Sequence, residues 1–213
     1  MRLRKKPWIA KAIQVLKGEY ILTQELEQYK GHWAEVLGKK DLALEIGCGR
    51  GRFITGMAGL YPEKGFIGVE TQHDICYYPG QMTKELGLTN VKIVCGNAAY
   101  LEDWFEPGEI KALYLNFSDP WPKSKQAKRR LTHHNFLAKY LQVVGVGGHL
   151  RFKTDNKELF DFSLAEFRDF GMEIIGLSYD LHHSEYDNEV MTEYEQRFSA
   201  LGKKINFCEA VFK

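Results

Sequence analysis

Short apolar, strand-like runs alternate with helical periodicities through the central part of the chain, and this alternation constrains the fold more than any other feature. Each run is largely apolar across consecutive residues, as a strand covered by helices on both faces must be. Apolar residues recur at helical spacing between the runs. The runs lie at 42–46, 65–70, 91–95, 110–117 and 149–154. This pattern predicts an α/β fold with a doubly wound parallel sheet.

Two more β-like runs, 172–181 and 205–212, follow with no helical pattern between them. They are predicted to close the sheet as an antiparallel pair, because parallel neighbours need a long crossover connection. The expected sheet is therefore seven-stranded and mostly parallel, with an antiparallel C-terminal strand. Residues 1–40 are predicted to form a basic N-terminal arm and a helical preface, and residues 41–213 a single globular domain.

Composition narrows the class of protein. The chain has 213 residues, of which 44% are hydrophobic, and this is enough for one core. Its four cysteines form no C-x-x-C pair, which argues against a structural zinc site and against a disulfide framework. No apolar stretch approaches the length of a membrane span. We therefore expect a soluble cytoplasmic protein, either a monomer or a homodimer.

The first predicted strand runs into Glu45-Ile46-Gly47-Cys48-Gly49-Arg50-Gly51, directly before a helical stripe. Glycines let a backbone pass close to a ligand because no Cβ stands in the way. We expect Gly47, Gly49 and Gly51 to line the site of a nucleotide cofactor. Glu70 ends the second strand, where its carboxylate can accept hydrogen bonds from both ribose hydroxyls of an adenosine.

Two cofactors fit such a loop in general. A nicotinamide dinucleotide requires G-x-G-x-x-G so that its pyrophosphate lies on a helix N-terminus, whereas this loop reads G-x-G-x-G. Glu45 would repel a pyrophosphate but suits the cationic amino-acid end of S-adenosyl-L-methionine. These features favour S-adenosyl-L-methionine over a dinucleotide and over a plain glycine turn. After the third strand, the side-chain amide of Asn97 can pair with the adenine amine, although an Asn there also suits a turn.

The fourth strand ends in Asn116-Phe117-Ser118-Asp119-Pro120-Trp121-Pro122-Lys123. In an open α/β sheet, ligands bind at the carboxyl ends of the strands where the strand order reverses, which here are strands one and four. Pro120 and Pro122 fix the backbone around Trp121. The segment is therefore either a rigid loop with a packed tryptophan or a loop that holds the acceptor, and in the second case Asp119 lies beside the methyl group of the cofactor.

Positive charge is concentrated directly after this segment. A basic run is usually a solvated face, but one beside the reactive centre favours a track for phosphates and hence a nucleic-acid partner. A second basic cluster stands at the N-terminus. The residues concerned are Lys123, Lys125, Lys128, Arg129 and Arg130, together with Arg2, Arg4, Lys5 and Lys6.

Acidic residues and histidines near the C-terminal half allow two further expectations. The stretch 180–195 holds six Asp or Glu residues and no Lys or Arg. It is either a solvated loop or a guanine-selecting one, since a carboxylate can accept from N1–H and N2–H of guanine together. No metal site is predicted, because the histidines lack the spacing of metal ligands. They are His133, His134, His182 and His183, expected at the surface or against RNA.

Together these motifs resemble the bacterial tRNA (guanine-N7-)-methyltransferases, which are class I S-adenosylmethionine-dependent methyltransferases with a Rossmann-like fold. The resemblance covers nearly the whole chain. It rests on the glycine loop, on Phe66-Ile67-Gly68-Val69-Glu70, on the segment 116–123 with the run 127–131 after it, and on Thr192-Glu193-Tyr194-Glu195. It implies methyl transfer from S-adenosyl-L-methionine to N7 of a guanosine in the variable loop of tRNA, with S-adenosyl-L-homocysteine as product.

The resemblance also implies roles for individual residues. One group would contact the cofactor, one residue of that group would also be catalytic, and another group would bind the tRNA. The cofactor group is Glu45, Glu70, Asn97 and Asp119, of which Asp119 is catalytic, and the tRNA group is Lys123, Asp155, Thr192, Glu193, Tyr194 and Glu195.

The chain departs from the family at two places. Asn97 stands where many relatives carry Asp, which puts the strength of the adenine contact in question. Pro79 and Gly80 fall inside the helix expected after Glu70, and an interior proline costs a helix about 3 kcal/mol. A kink or a locally reduced stability is therefore expected there.

Two other functions are compatible with the same residues. The segment 119–122 is similar to the Asp-Pro-Pro-aromatic motif of methyltransferases that act on exocyclic amines of adenine or cytosine. A non-catalytic module could also use the adenosine site for sensing and the basic track for RNA binding. Methyl transfer to RNA, and the position of the methyl group, distinguish these functions.

Overall fold

The computed structural model describes residues 6–186 and 188–213. Its strands are β1 (Ile21–Leu22), β2 (Leu42–Ile46), β3 (Gly65–Glu70), β4 (Val91–Cys95), β5 (Ala112–Asn116), β6 (His149–Thr154), β7 (Glu173–Ser178) and β8 (Asn206–Val211). Its α-helices are α1 (Ile9–Ala12), α2 (Trp33–Leu37), α3 (Arg52–Leu60), α4 (His73–Glu85), α5 (Leu101–Trp104), α6 (His134–Val144), α7 (Lys157–Asp169) and α8 (Glu193–Ser199).

The strands form one sheet in the order β1-β4-β3-β2-β5-β6-β8-β7. All neighbouring pairs are parallel except those of β8, which runs antiparallel to both β6 and β7. The predicted α/β fold, its mostly parallel sheet and its antiparallel C-terminal strand are confirmed. The strand order reverses between β2 and β5, so a crevice opens at their carboxyl ends.

The sheet has one strand more than predicted. β1 pairs with β4 through Ile21 and Ile93, inside the region predicted as a helical preface. Two residues are too few to show a strand period in the sequence. Three of the predicted strands are also shorter than expected, because the apolar runs at 110–117, 172–181 and 205–212 extend past the hydrogen-bonded residues.

The core lies on both faces of the sheet. Leu44 of β2 packs with the cluster under α2, α5, α6 and α7, whereas its neighbour Ala43 packs with the cluster under α3 and α4. Trp33 is fully buried and its indole N–H donates to the carbonyl of Trp104 at 2.8 Å. Ile13 and Leu16 of the preface are buried in the second cluster, so the described part of the preface packs on the same sheet.

Helix α4 continues without a break through Pro79. A Cβ built on Gly51 would lie 2.4 Å from the Cβ of Pro79, and one built on Gly80 would lie 2.4 Å from the side chain of Ile21. Because Gly51 and Gly80 lack a Cβ, α4 can pack closely against the glycine loop and β1. The expected loss of local stability stays a prediction.

Two further sequence expectations concern membrane spans and the basic N-terminus. Among the described residues, no helix combines the length and apolar character that crossing a bilayer requires. The predicted phosphate contacts Arg2, Arg4 and Lys5 lie outside the described residues.

Candidate active site

Two connected cavities occupy the crevice at the carboxyl ends of the parallel strands. The central cavity, of about 550 Å³, is lined by Glu70, Asn97 and Asp119 among others. The glycine-loop cavity, of about 190 Å³, is lined by Glu45 and by the loop 47–51. Both are bordered by Gly47, Asn116 and Phe117. The combined space is in the range of small-molecule sites, which hold about 300–1000 Å³.

The glycine loop takes its shape from backbone conformations that other residues rarely adopt. Gly47, Gly49 and Gly51 have φ values of 78°, 54° and 89°. The backbone N–H groups of Gly47 and Cys48 both donate to the carbonyl of Val69, at 2.7 and 3.1 Å. The loop therefore turns sharply across the end of β3 before α3 begins, and its backbone is exposed to the cavity, as predicted from the three glycines.

Glu45 is a buried carboxylate at the end of β2 with one oxygen unpaired. Its Oε1 accepts a hydrogen bond from Asn116 Nδ2 at 2.8 Å, whereas its buried Oε2 has no partner among the described residues. Burial raises the pKa of Glu45 to about 7, although the hydrogen bond from Asn116 and the charge of Lys153 lower it. Because Glu45 lines the glycine-loop cavity, the unpaired oxygen is suited to a cationic ligand group there.

Glu70 and Asn97, predicted to bind the adenosine, lie on the wall of the same central cavity. The carboxylate of Glu70 accepts from the backbone N–H of Gly49 at 3.1 Å and of Gln72 at 2.9 Å. Asn97 Oδ1 accepts from the N–H of Ala99 at 2.9 Å and caps the short 3-10 helix that follows. The turn-forming role of Asn97 is therefore observed. An adenine contact would have to be made in addition to this hydrogen bond.

The loop after β5 is held in a strained conformation. Phe117 and Trp121 have φ values of 52° and 40°, a left-handed region that bulky side chains rarely occupy. Such conformations cost on the order of 1–3 kcal/mol each and persist at functional sites where the surroundings enforce them. Ser118 Oγ in this loop is buried without a described partner. Asp119 is exposed and borders the central cavity.

Arg130 holds this loop through hydrogen bonds to its backbone carbonyls. Its Nε donates to the carbonyl of Pro120 and its Nη2 to that of Trp121, both at 3.1 Å. The guanidinium also lies 4.2 Å from the ring centroid of Phe162. Arg130 was predicted to bind tRNA, which stays a prediction, whereas the structure shows its guanidinium holding the loop. The positive charge of Arg130 in the sequence did not predict these contacts with backbone carbonyls.

The other predicted phosphate contacts are exposed around the mouth of the site. Lys128 and Arg129 line the central cavity, and the guanidinium of Arg129 stacks over Trp121 at 4.3 Å. Lys123 and Lys125 are exposed on the same segment. The structure therefore places the basic run beside the carboxyl ends of β2 and β5, as the sequence indicated.

An outer cavity, of about 560 Å³, adjoins the central one and shares Phe117, Ser118 and Asp119 with it. Asp155 lines this cavity, and its Oδ2 accepts from Lys203 Nζ at 3.1 Å and from the Tyr194 hydroxyl at 3.5 Å. The ring of Tyr194 packs on that of Phe117 with centroids 4.9 Å apart. Phe117 and Tyr194 thus form the wall between the glycine-loop cavity and the outer cavity.

The predicted tRNA-binding segment 192–195 divides between two environments. Thr192 caps α8, since its Oγ1 accepts from the N–H of Glu195 at 2.9 Å, and Glu193 lies 3.9 Å from Arg50 at the glycine-loop cavity. Glu195 instead is fully buried and receives a hydrogen bond from Lys153 Nζ at 2.8 Å. Its side chain therefore points into the protein and away from the surface that RNA would contact.

Lys153 was not singled out from the sequence, because lysines in strands usually reach solvent. Here it is buried, and burial lowers its pKa while the charge of Glu195 raises it.

The histidines lie in two groups. His182 Nε2 is 3.2 Å from the buried Glu195, and His183 pairs with Asp180 at 3.1 Å. His133 and His134 approach Glu166 of α7, so that one ligand atom from each lies within 4.8 Å of the others. Sequence spacing could not show this juxtaposition. The Glu166 carboxylate also accepts from the backbone N–H of His134 at 2.6 Å, which caps α6.

Comparison with known proteins relates the whole chain to one class of enzyme. A family model described as "Putative methyltransferase" matches residues 39–208. The tRNA (guanine-N(7)-)-methyltransferases of an Exiguobacterium species and of Bacillus subtilis are 43% and 42% identical to the chain. The alignments cover 100% of this chain and 99% and 100% of the two relatives.

Solved structures relate the fold to the same class. The structure of a SAM dependent methyltransferase from Aquifex aeolicus superimposes with a TM-score of 0.57 at 12% identity, covering 96% of this chain and 98% of that one. At this level of identity the likeness concerns the fold.

Proposed function

This chain belongs to the family of the tRNA (guanine-N(7)-)-methyltransferases, and from that premise we propose that it transfers a methyl group from S-adenosyl-L-methionine to N7 of a guanosine in the variable loop of tRNA. The observation that carries this proposal is the crevice itself. It combines an unpaired buried carboxylate oxygen on Glu45, a second carboxylate on Glu70 and an adjoining basic surface. A methyl donor with a cationic end and an RNA acceptor both fit this combination.

The residues of the two inner cavities fit the methyl donor. Glu45 would receive the ammonium of its amino-acid end, the glycine loop 47–51 would lie along its chain, and Glu70 would accept from its ribose hydroxyls. Asn97 would lie near the adenine. A dinucleotide fits less well, because the carboxylate of Glu45 would face its pyrophosphate. S-adenosyl-L-methionine supplies a sulfonium methyl group, which is electrophilic, and needs no metal for this transfer.

The acceptor chemistry sets modest demands on the protein. Guanine N7 has a lone pair in the ring plane and carries no proton, so methylation there requires no general base. The protein must instead hold the base in a near-attack position and exclude water. We assign this task to the wall formed by Phe117 and Tyr194 and to Asp119, whose carboxylate can orient the base or the donor and stabilise the cationic product.

Selection of guanine and of tRNA would use different groups. A carboxylate on the outer cavity, Asp119 or Asp155, can accept from guanine N1–H and N2–H, a pair of donors that adenine lacks. The exposed run Lys123, Lys125, Lys128 and Arg129 would contact phosphates. These contacts require a folded RNA that delivers one base to the cavity. The reaction is assigned to the cytoplasm, where tRNA is available and where the four free cysteines stay reduced.

Unmodified tRNA transcript incubated with labelled S-adenosyl-L-methionine, then digested to nucleosides, tests the proposal. We expect the label in 7-methylguanosine, and only with RNA that retains its variable loop. Label in N6-methyladenosine or N4-methylcytidine would identify an amine methyltransferase instead. Binding of the donor and of RNA without transfer of label would identify a sensing module.

A further inference from the structure

The ammonium of Lys153 is enclosed by three acceptors from the C-terminal part of the chain. Lys153 lies on β6 and is 6% exposed. Its Nζ donates to Glu195 Oε2 at 2.8 Å, to Asn188 Oδ1 at 3.0 Å and to the carbonyl of Val190 at 3.4 Å. An ammonium has three N–H donors, so these contacts account for all of them. The hydrogen bonds of the ammonium are thus all made with segments that follow β7.

Glu195 completes the network from the side of α8. Its Oε1 accepts from Asn188 Nδ2 at 2.6 Å and lies 3.2 Å from His182 Nε2. The carboxylate is fully buried. A buried charge that loses its partner is strongly unfavourable, so α8 cannot move away from β6 without separating the pair.

Helix α8 depends on such an anchor and also shapes the site. It has seven residues, too few to be stable alone in water. Thr192, Glu193 and Tyr194 at its start line the glycine-loop cavity, and Tyr194 packs on the strained Phe117. Any displacement of α8 would therefore alter both the donor side and the acceptor side of the wall.

We propose that Lys153 is a positioning residue for methyl transfer: its buried ion pair with Glu195 fixes α8 on β6 and thereby places Tyr194 against Phe117 between the two cavities. This inference rests on the proposed function, because it takes those cavities as the sites of the donor and of guanine. It also assigns Glu195 to holding α8, where the sequence motif implied direct contact with tRNA.

Lys153→Met tests the proposal, with S-adenosyl-L-homocysteine as the probe in calorimetric titration and with hydrogen exchange as the structural readout. We expect the dissociation constant of the probe to rise about tenfold and kcat/KM with tRNA to fall at least about tenfold. Exchange should accelerate in residues 193–199 and stay unchanged in β2 to β5. Lys153→Arg keeps the charge and should recover part of both losses.

Lys139→Met is the matched control, because Lys139 pairs with Glu102 on the other face of the sheet and borders none of the three cavities described. Folded Lys153→Met with unchanged probe affinity, kcat/KM and exchange at 193–199 would overturn the proposal, as would equal losses in Lys139→Met. If Lys153→Met does not fold, Glu195→Gln carries the same expectations and the same refutation. Wild-type protein that binds the probe but methylates no tRNA would refute the proposed function, while probe affinity and exchange would still decide the role of Lys153.

Discussion

Glu45 and Asp119 are both acidic residues at the carboxyl edge of the sheet, but their surroundings differ. Glu45 is 1% exposed and burial raises its pKa to about 7. Asp119 is exposed at the junction of the central and outer cavities. Glu45 is suited to bind a cation, which would compensate the carboxylate for the water it loses on burial. Asp119 is suited to interact with groups that enter from solution.

Asp119→Ala is expected to lower kcat by roughly 100-fold or more, because a carboxylate that orients the reacting groups acts mainly in the transition state. The affinity for S-adenosyl-L-homocysteine should change far less. Steady-state methylation of tRNA and calorimetric titration measure the two quantities. Asp169→Ala, an exposed change at the far end of α7, is the control and should leave both unchanged. Retention of most activity in Asp119→Ala would remove it from the mechanism.

Donor affinity should depend on pH through Glu45. With a pKa of about 7 in the donor-free protein, the carboxyl is largely ionised at about pH 8 and largely protonated at about pH 6. Since the donor ammonium requires the ionised form, its affinity should fall up to about tenfold per pH unit below the pKa. Titration of the wild-type protein at several pH values measures this slope.

Glu45→Gln separates this carboxyl from other groups and adds a test of stability. Its donor affinity should be low and nearly independent of pH. The folded wild type holds the Glu45 proton up to about pH 7, whereas the unfolded chain releases it near the ordinary value of 4.5, so ionisation destabilises the fold as pH rises through that window. Donor-free Glu45→Gln should therefore be more stable than wild type at about pH 8. An equal or lower melting temperature would contradict the burial cost assigned to Glu45.

At the scale of elements, the start of α3 and the middle of α4 are in direct contact, and no room is left for a side chain between them. Gly51 precedes α3, and Pro79 of α4 lies directly against it. The packing of α4 against the start of α3 therefore fixes the position of the glycine loop. A larger residue at position 51 would have to push α4 away or distort the loop.

Gly51→Ala should destabilise the protein by about 2–4 kcal/mol, because it combines a left-handed φ of 89° with a 2.4 Å approach of its Cβ to Pro79. Thermal unfolding measures the loss. Gly59→Ala, within the helix α3 that Gly51 precedes, is the matched control, since its Cβ would meet nothing within 4 Å, and it should be neutral or stabilising by up to about 1 kcal/mol. Equal melting temperatures for the two variants would show that the contact is relaxed in solution.

At the scale of the whole molecule, lysines lie at both edges of the sheet, but they differ in their distance from the cavities. Lys128 lines the central cavity at the carboxyl edge, and Lys125 is exposed on the same short 3-10 helix. Lys40, just before β2, and Lys84, in the last turn of α4, lie at the opposite edge. A net charge of +1 conceals this arrangement. The position of a cation, more than its number, should decide whether it contributes to RNA binding.

Lys125→Gln with Lys128→Gln should weaken tRNA binding and reduce the slope of log K against log salt by up to about 2, since each phosphate contact contributes roughly 0.7–0.9. Filter binding across a salt series measures the slope. The same two substitutions at Lys40 and Lys84 should leave it unchanged. A slope that both pairs reduce equally would indicate general charge attraction and no track.

Sequence reasoning worked best where chemistry is tied to strand ends. Glu45 and Glu70 lie at the ends of apolar runs and Asp119 follows one, and the parallel sheet necessarily brings such ends to one edge. It could not show which side chains of a motif turn inward. The burial of Glu195 and the loop contacts of Arg130 depend on residues 42 and 10 positions away, namely Lys153 and Pro120. Such pairings arise only once the topology is known.

The close approach of α4 limits substitution differently at its two contacts. Gly80 is crowded only by Ile21 and has no left-handed backbone, so shrinking Ile21 would open room for alanine at 80. A smaller residue at 21 combined with alanine at 80 is therefore sterically possible. Gly51 is limited both by its own φ of 89° and by Pro79, whose backbone Cα would lie 2.7 Å from a Cβ at 51, so a smaller residue at 79 would relieve neither limit. Position 51 therefore requires glycine on two grounds, its own backbone conformation and the backbone of α4 against it.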